Sequence, residues 1–86
     1  MIFLDKIISI EYCTSWGYLS RAVALAENLL DEHKNDIDKV IIIPSSGGVF
    51  EVAVNGESIF SKKELDRFPE ENEVEDKIRE LIKKMS

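Results

Sequence analysis

The chain has 86 residues, 44% of them hydrophobic and 33% charged, with 17 acidic against 11 basic side chains and a formal net charge of −6. That length holds one domain, residues 1–86, and the balance is that of a globular rather than a disordered chain. A field of this sign repels phosphate backbones and anionic lipid, so no nucleic-acid and no membrane-surface partner is expected.

The start, "MIFLDKIISI", is apolar but broken by Asp5 and Lys6, and no small-residue cleavage site follows. It reads as neither a signal peptide nor a membrane span. In "KIISIEY", residues 6–12, Ile8, Ile10 and Tyr12 fall on one face and Ile7 on the other, as in a strand. From Trp16 the period changes. Trp16, Leu19, Val23, Ala26 and Leu30 recur at steps of three and four, with Ala22 and Leu29 widening the stripe, which predicts a helix over 16–33 capped by Thr14 or Ser15. His33 ends that helix, where a cation suits the dipole, so capping outweighs catalysis or metal binding for the one histidine.

After the polar "DEHKNDIDK", the run "VIIIP" at 40–44 is too short for a helix and suits a strand covered on both faces. "VFEVAVNGESIF" places Phe50, Val52 and Val54 on one side, and Asn55-Gly56 supplies the positive φ angles of a type I′ turn before the return strand at Ile59-Phe60. "SKKELDRFPE", residues 61–70, reads as a connection. A last helix then carries Val74, Ile78, Leu81, Ile82 and Met85 on one stripe, with glutamates at its start and Lys83 and Lys84 at its end. The order β-α-β-β-β-α predicts an α/β two-layer sandwich of the thioredoxin-like kind, a four-stranded mixed sheet with both helices packed on it.

Cys13 is the single cysteine, which excludes an internal disulfide and a multi-cysteine zinc site, and no metal is expected. A free thiol persists most easily in reducing surroundings, which points to the cytoplasm. Placed between the first strand and the first helix, Cys13 meets unpaired amides and the positive end of a dipole, which favour the nucleophilic thiolate. The competing reading is a small buried hydrophobe. The two readings differ in exposure: a reactive Cys13 should be at least partly accessible, and complete burial under Trp16 or the 45–48 loop would sink the redox reading.

Further motifs surround this residue. "YC-x-x-x-GY" followed by "RA", then "P-x-x-GG-x-FEV-x-VNG" and "IFSKKE-x-x-RFPE", resemble the selenoprotein W-like proteins, also called the Rdx family, over residues 6 to 80. The resemblance implies a small thioredoxin-like fold and a thiol-redox role at a Cys-x-x-Cys or Cys-x-x-selenocysteine motif after the first strand. Cys13 matches the attacking cysteine of that motif, and Trp16 stands where the second sulfur or selenium would be. Without a resolving sulfur, dithiol exchange is unavailable. A one-thiol scheme remains, with glutathione or a similar low-molecular-weight thiol as co-reactant and no other cofactor.

Tyr12, Thr14, Ser15, Trp16, Gly17 and Tyr18 form the motif loop and a candidate partner surface, with Phe68 approaching from the last loop. Trp16 itself reads first as core, at the head of an apolar stripe. If exposed, it would be an aromatic anchor for a protein partner. Gly47 and Gly48, in "SSGG", read as a turn near the thiol rather than a phosphate loop, because neither a helix nor a P-loop lysine follows. The alternative function is therefore a non-enzymatic interaction module that has lost redox activity, with a dimer as one form.

Overall fold

The computed structural model describes residues 5–85. The reading of the chain's first residues as no leader falls partly on 1–4, outside that range. Four strands, β1 (Ile7–Cys13), β2 (Lys39–Ser45), β3 (Phe50–Val54) and β4 (Glu57–Ser61), form one sheet in the order β2-β1-β3-β4. β1 runs parallel to β2 and antiparallel to β3, which pairs antiparallel with β4. Helix α1 (Tyr18–His33) joins the parallel pair, and a 3-10 turn over Lys34–Asp36 follows it. After β4 come a short helix α2 (Lys62–Leu65) and the long α3 (Glu73–Met85). This is the expected thioredoxin-like arrangement, with α2 as an addition. No helix among the described residues is long and apolar enough to cross a membrane.

Strand alternation puts Ile8, Ile10, Phe50, Val52, Val54 and Phe60 on one face of the sheet, and all are buried. Against them pack Ala22, Leu25, Ala26 and Leu29 of α1 and Val74, Ile78 and Ile82 of α3. Each buried valine, leucine, isoleucine or phenylalanine among them contributes about 1.5–3 kcal/mol of transfer free energy. The hairpin forms as predicted: Asn55 (φ 52°) and Gly56 (φ 84°) are both left-handed. Asn55 also closes the sheet's lower end, accepting from the Ile7 N–H at its Oδ1 (2.9 Å) and donating its own N–H to the Ile7 carbonyl (2.8 Å).

Three expectations are corrected. The α1 stripe is rotated: Leu19, Val23 and Leu30 are exposed, while Ala22 and Leu29, expected only to widen it, lie in the core with Leu25. Two apolar stripes fit the spacing, and the small Ala22 and Ala26 let the helix backbone approach the sheet. The helix also starts at Tyr18 rather than Trp16, with Gly17 as its N-cap and no side-chain cap from Thr14 or Ser15. Thirdly, β2 is an edge strand. Both helices lie on one face, so Ile41 and Ile43 are bare on the other, and Ile42 is bare at the margin.

Candidate functional site

β1 lies between two hydrogen-bonded neighbours, so its final residue, Cys13, is held firmly at the end of the sheet. The next four residues turn away from the strand. Trp16 (φ 50°) and Gly17 (φ 76°) are consecutive left-handed residues, and the Tyr18 N–H bonds the Ser15 carbonyl at 3.4 Å to open α1. A left-handed tryptophan is strained backbone. The turn throws the indole outward, leaving Trp16 88% exposed, not in the core as first read.

Cys13 is buried, at 4% exposure, and the expectation of partial access fails. Trp16 is not the cover. The 45–49 segment lies across the strand end, tied there by the Cys13 N–H to the Val49 carbonyl (2.9 Å) and the Thr14 N–H to the Ser45 carbonyl (3.1 Å). The same segment makes the thiol's surroundings polar. Backbone N–H groups of Ser15 and Gly48 lie near the sulfur and hold its pKa below the ordinary thiol value. Burial opposes them, while the Ser15 hydroxyl and the Lys62 charge reinforce them. The amides therefore come from two loops, not from the first turn of α1 as the sequence suggested.

The other predicted residues divide. Thr14, Ser15, Trp16, Gly17 and Gly47 are exposed around the thiol, and Gly48 is half-buried over it. Gly47 and Gly48 are both left-handed, at φ 79° and 72°, a backbone that ordinary side chains adopt at a cost. Tyr12 faces the core and does not join the surface. Tyr18 stacks edge-on against Phe68 at 4.8 Å between ring centres, so Phe68 does approach from the last loop. His33 sits at the end of α1 as expected; its buried Nε2 has no hydrogen-bond partner and lies 3.9 Å from the Glu32 carboxylate.

Sequence reasoning missed the basic side of the site. Lys62, at the start of α2, reaches the field of the thiol and lies 5.4 Å from the Phe68 ring centre, while the Arg21 guanidinium covers that ring at 4.0 Å. Ser61 fixes α2 by accepting from the Glu64 N–H and donating to Glu51. The signal was present in "SKKE", where a serine N-cap is followed three residues later by glutamate. A groove of about 380 Å³ runs beside the covering segment, lined by Gly47, Gly48, Val49, Lys62, Lys63 and Asp66 among others.

The model of the Rdx family matches residues 7–80, nearly all of the described fold and the whole site. The chain belongs to the Rdx family. Among solved structures, this Rdx chain is similar to a selenoprotein W-related protein from Vibrio cholerae, with 32% identity, a TM-score of 0.83, and 92% of this chain and 99% of that one covered. A protein from Bordetella parapertussis is similar to the same degree, at 31% identity and TM-score 0.83, over 90% of this chain and 98% of that one. No curated protein matches the chain. Family membership agrees with the sheet order.

Proposed function

We propose that this Rdx protein is a thiol-redox protein that works through one sulfur, Cys13. The observation that carries the reading is the setting of that sulfur, where the backbone amides of Ser15 and Gly48, with Lys62 nearby, favour the thiolate. A cysteine serving only as packing needs no donors, and donors favour the thiolate, the form that attacks disulfides. In the scheme, the Cys13 thiolate attacks one sulfur of a mixed disulfide, forms a Cys13–S–S–R bond and releases the other sulfur as a thiolate. A low-molecular-weight thiol then attacks the R sulfur, regenerating Cys13 and leaving R in a new mixed disulfide. The lysines of the neighbouring groove suit an acidic co-reactant such as glutathione.

Burial requires the 45–49 segment to move before either attack. A second reading, a binding module without redox chemistry, draws its support from Trp16, a large aromatic held in solvent by strained backbone. Iodoacetamide rates against pH separate the two, because Cys13 is the one thiol present. A midpoint below the roughly 8.5 of a free thiol, raised by Lys62→Gln, is expected for the redox protein. A midpoint at or above it would favour the binding module.

A further inference from the structure

The geometry points to a second copy of this chain as the occupant of the β2 edge: two protomers pair their β2 strands antiparallel about a two-fold axis and form one eight-stranded sheet. The edge has the required backbone. The Lys39 N–H bonds the Lys6 carbonyl, and the Ser45 carbonyl accepts from the Thr14 N–H, so the odd-numbered residues of β2 turn their backbone groups to β1. By alternation, Val40, Ile42 and Pro44 turn theirs to the open side. Pro44 thus lacks its N–H where β1 does not need one. With the axis at Ile42, the two Ile42 residues exchange a pair of N–H···O bonds, and each Val40 N–H reaches the Pro44 carbonyl of the other copy. The pairing is self-complementary, as a two-fold interface must be.

The side chains fit the same axis. Asn28 and Glu32 of α1 face α3, through Glu75 and Arg79. At about 100° per residue, Leu19, Val23 and Leu30 therefore lie on the opposite flank, toward the β2 edge. These three residues with Ile42 on the helix side of the edge, and Ile41 and Ile43 on the other side, are each 38–50% exposed in a chain of net charge −6. α1 touches both β1 and β2, so it straddles them. Strands about 4.8 Å apart then bring the α1 axes of the two copies to about 10 Å. That is the packing distance of helices, roughly 8–10 Å. Running antiparallel, they set Leu19 against Leu30 of the other copy, with Val23 of each copy near the axis between them.

The charged residue of β2, Lys39, falls opposite Ser45 of the other copy, so no like charges meet along the seam. The area covered is on the order of 500 Å² per protomer, about 1,000 Å² in all, the lower end for a specific interface. An interface that small suits a reversible association rather than an obligate dimer.

Sedimentation equilibrium from micromolar to submillimolar protein tests it. The unmodified chain should dimerise reversibly. Ile42→Pro, which deletes two seam hydrogen bonds, and Val23→Lys, on the exposed flank of α1, should each weaken the dimer at least about tenfold with the circular dichroism of the fold unchanged. Leu65→Lys, on exposed α2 away from the edge, should leave it intact. If Ile42→Pro fails to fold, Val23→Lys alone decides. A monomer throughout the range, a dimer indifferent to Val23→Lys, or a dimer broken by Trp16→Ala instead would each overturn the proposal.

Discussion

At the scale of single residues, the site joins two side chains in opposite circumstances. Cys13 is buried, with backbone amides near its sulfur; Trp16, three positions on, stands in water on a backbone it does not favour. A left-handed conformation costs an ordinary residue about 1–2 kcal/mol, and an indole this exposed recovers little of that by packing. Asn tolerates the left-handed region without glycine's entropy. Trp16→Asn should therefore be neutral or stabilising by up to about 1 kcal/mol in urea denaturation, against a loss of about 3–5 kcal/mol for truncation of a buried tryptophan. A loss of that size would show that the indole is packed. The outward tryptophan was not legible in the sequence, because spacing reports period and not where a helix begins. The 45–48 loop was legible as a neighbour of the thiol, but spacing alone did not say whether it or Trp16 lies over Cys13.

Elements differ in how plainly they announce themselves. The hairpin was readable because Asn55-Gly56 encodes its turn by local sterics alone, and α3 because its apolar stripe is single and its terminal charges agree with the dipole. α1 was readable as a helix but not in phase: it carries a second apolar row, and which one faces the sheet is a tertiary choice. Two truncations measure that choice. Ile78→Ala in α3 should cost about 2–5 kcal/mol, whereas Val23→Ala in α1 should stay within about 0.5 kcal/mol. Equal costs would put Val23 in the core.

The entry to α3 has its own signature. Arg67 grips the Glu73 carboxylate with both of its terminal nitrogens, and the Glu70 N–H bonds it as well, lowering the Glu73 pKa to about 2. A carboxyl whose folded pKa lies below the unfolded value of about 4.3 stabilises the fold above that value and loses its contribution as pH falls toward 2. The stability difference between the unmodified protein and Arg67→Ala should be largest near neutrality and shrink steadily below about pH 4.5. A difference independent of pH would place the role of Arg67 elsewhere, for example against the Phe60 ring it approaches at 5.7 Å.

Across the whole molecule, the sheet has one covered face and one bare face, and α1 covers the β2 edge only in part. An apolar run like "VIIIP" looks the same in sequence whether helices cover it or a neighbouring strand awaits it, which is why its exposure could not be foreseen. The ties over the thiol have a kinetic consequence. Cys13 and Thr14 give their N–H groups to the 45–49 segment, so uncovering the sulfur and freeing those two amides are the same opening. Two backbone bonds of about 1 kcal/mol each would leave the closed form ahead by roughly tenfold to a hundredfold. Alkylation should be slowed by that factor relative to an unfolded chain with the same thiolate fraction. Amide hydrogen exchange at Cys13 and Thr14 should report the same opening equilibrium, while the β1 interior at Ile8 and Ile10 exchanges far more slowly. Exchange at Cys13 and Thr14 as slow as at Ile10, with alkylation still rapid, would mean that reagents reach the sulfur by another route. Otherwise, access to Cys13 is timed by the glycine-rich loop laid over it.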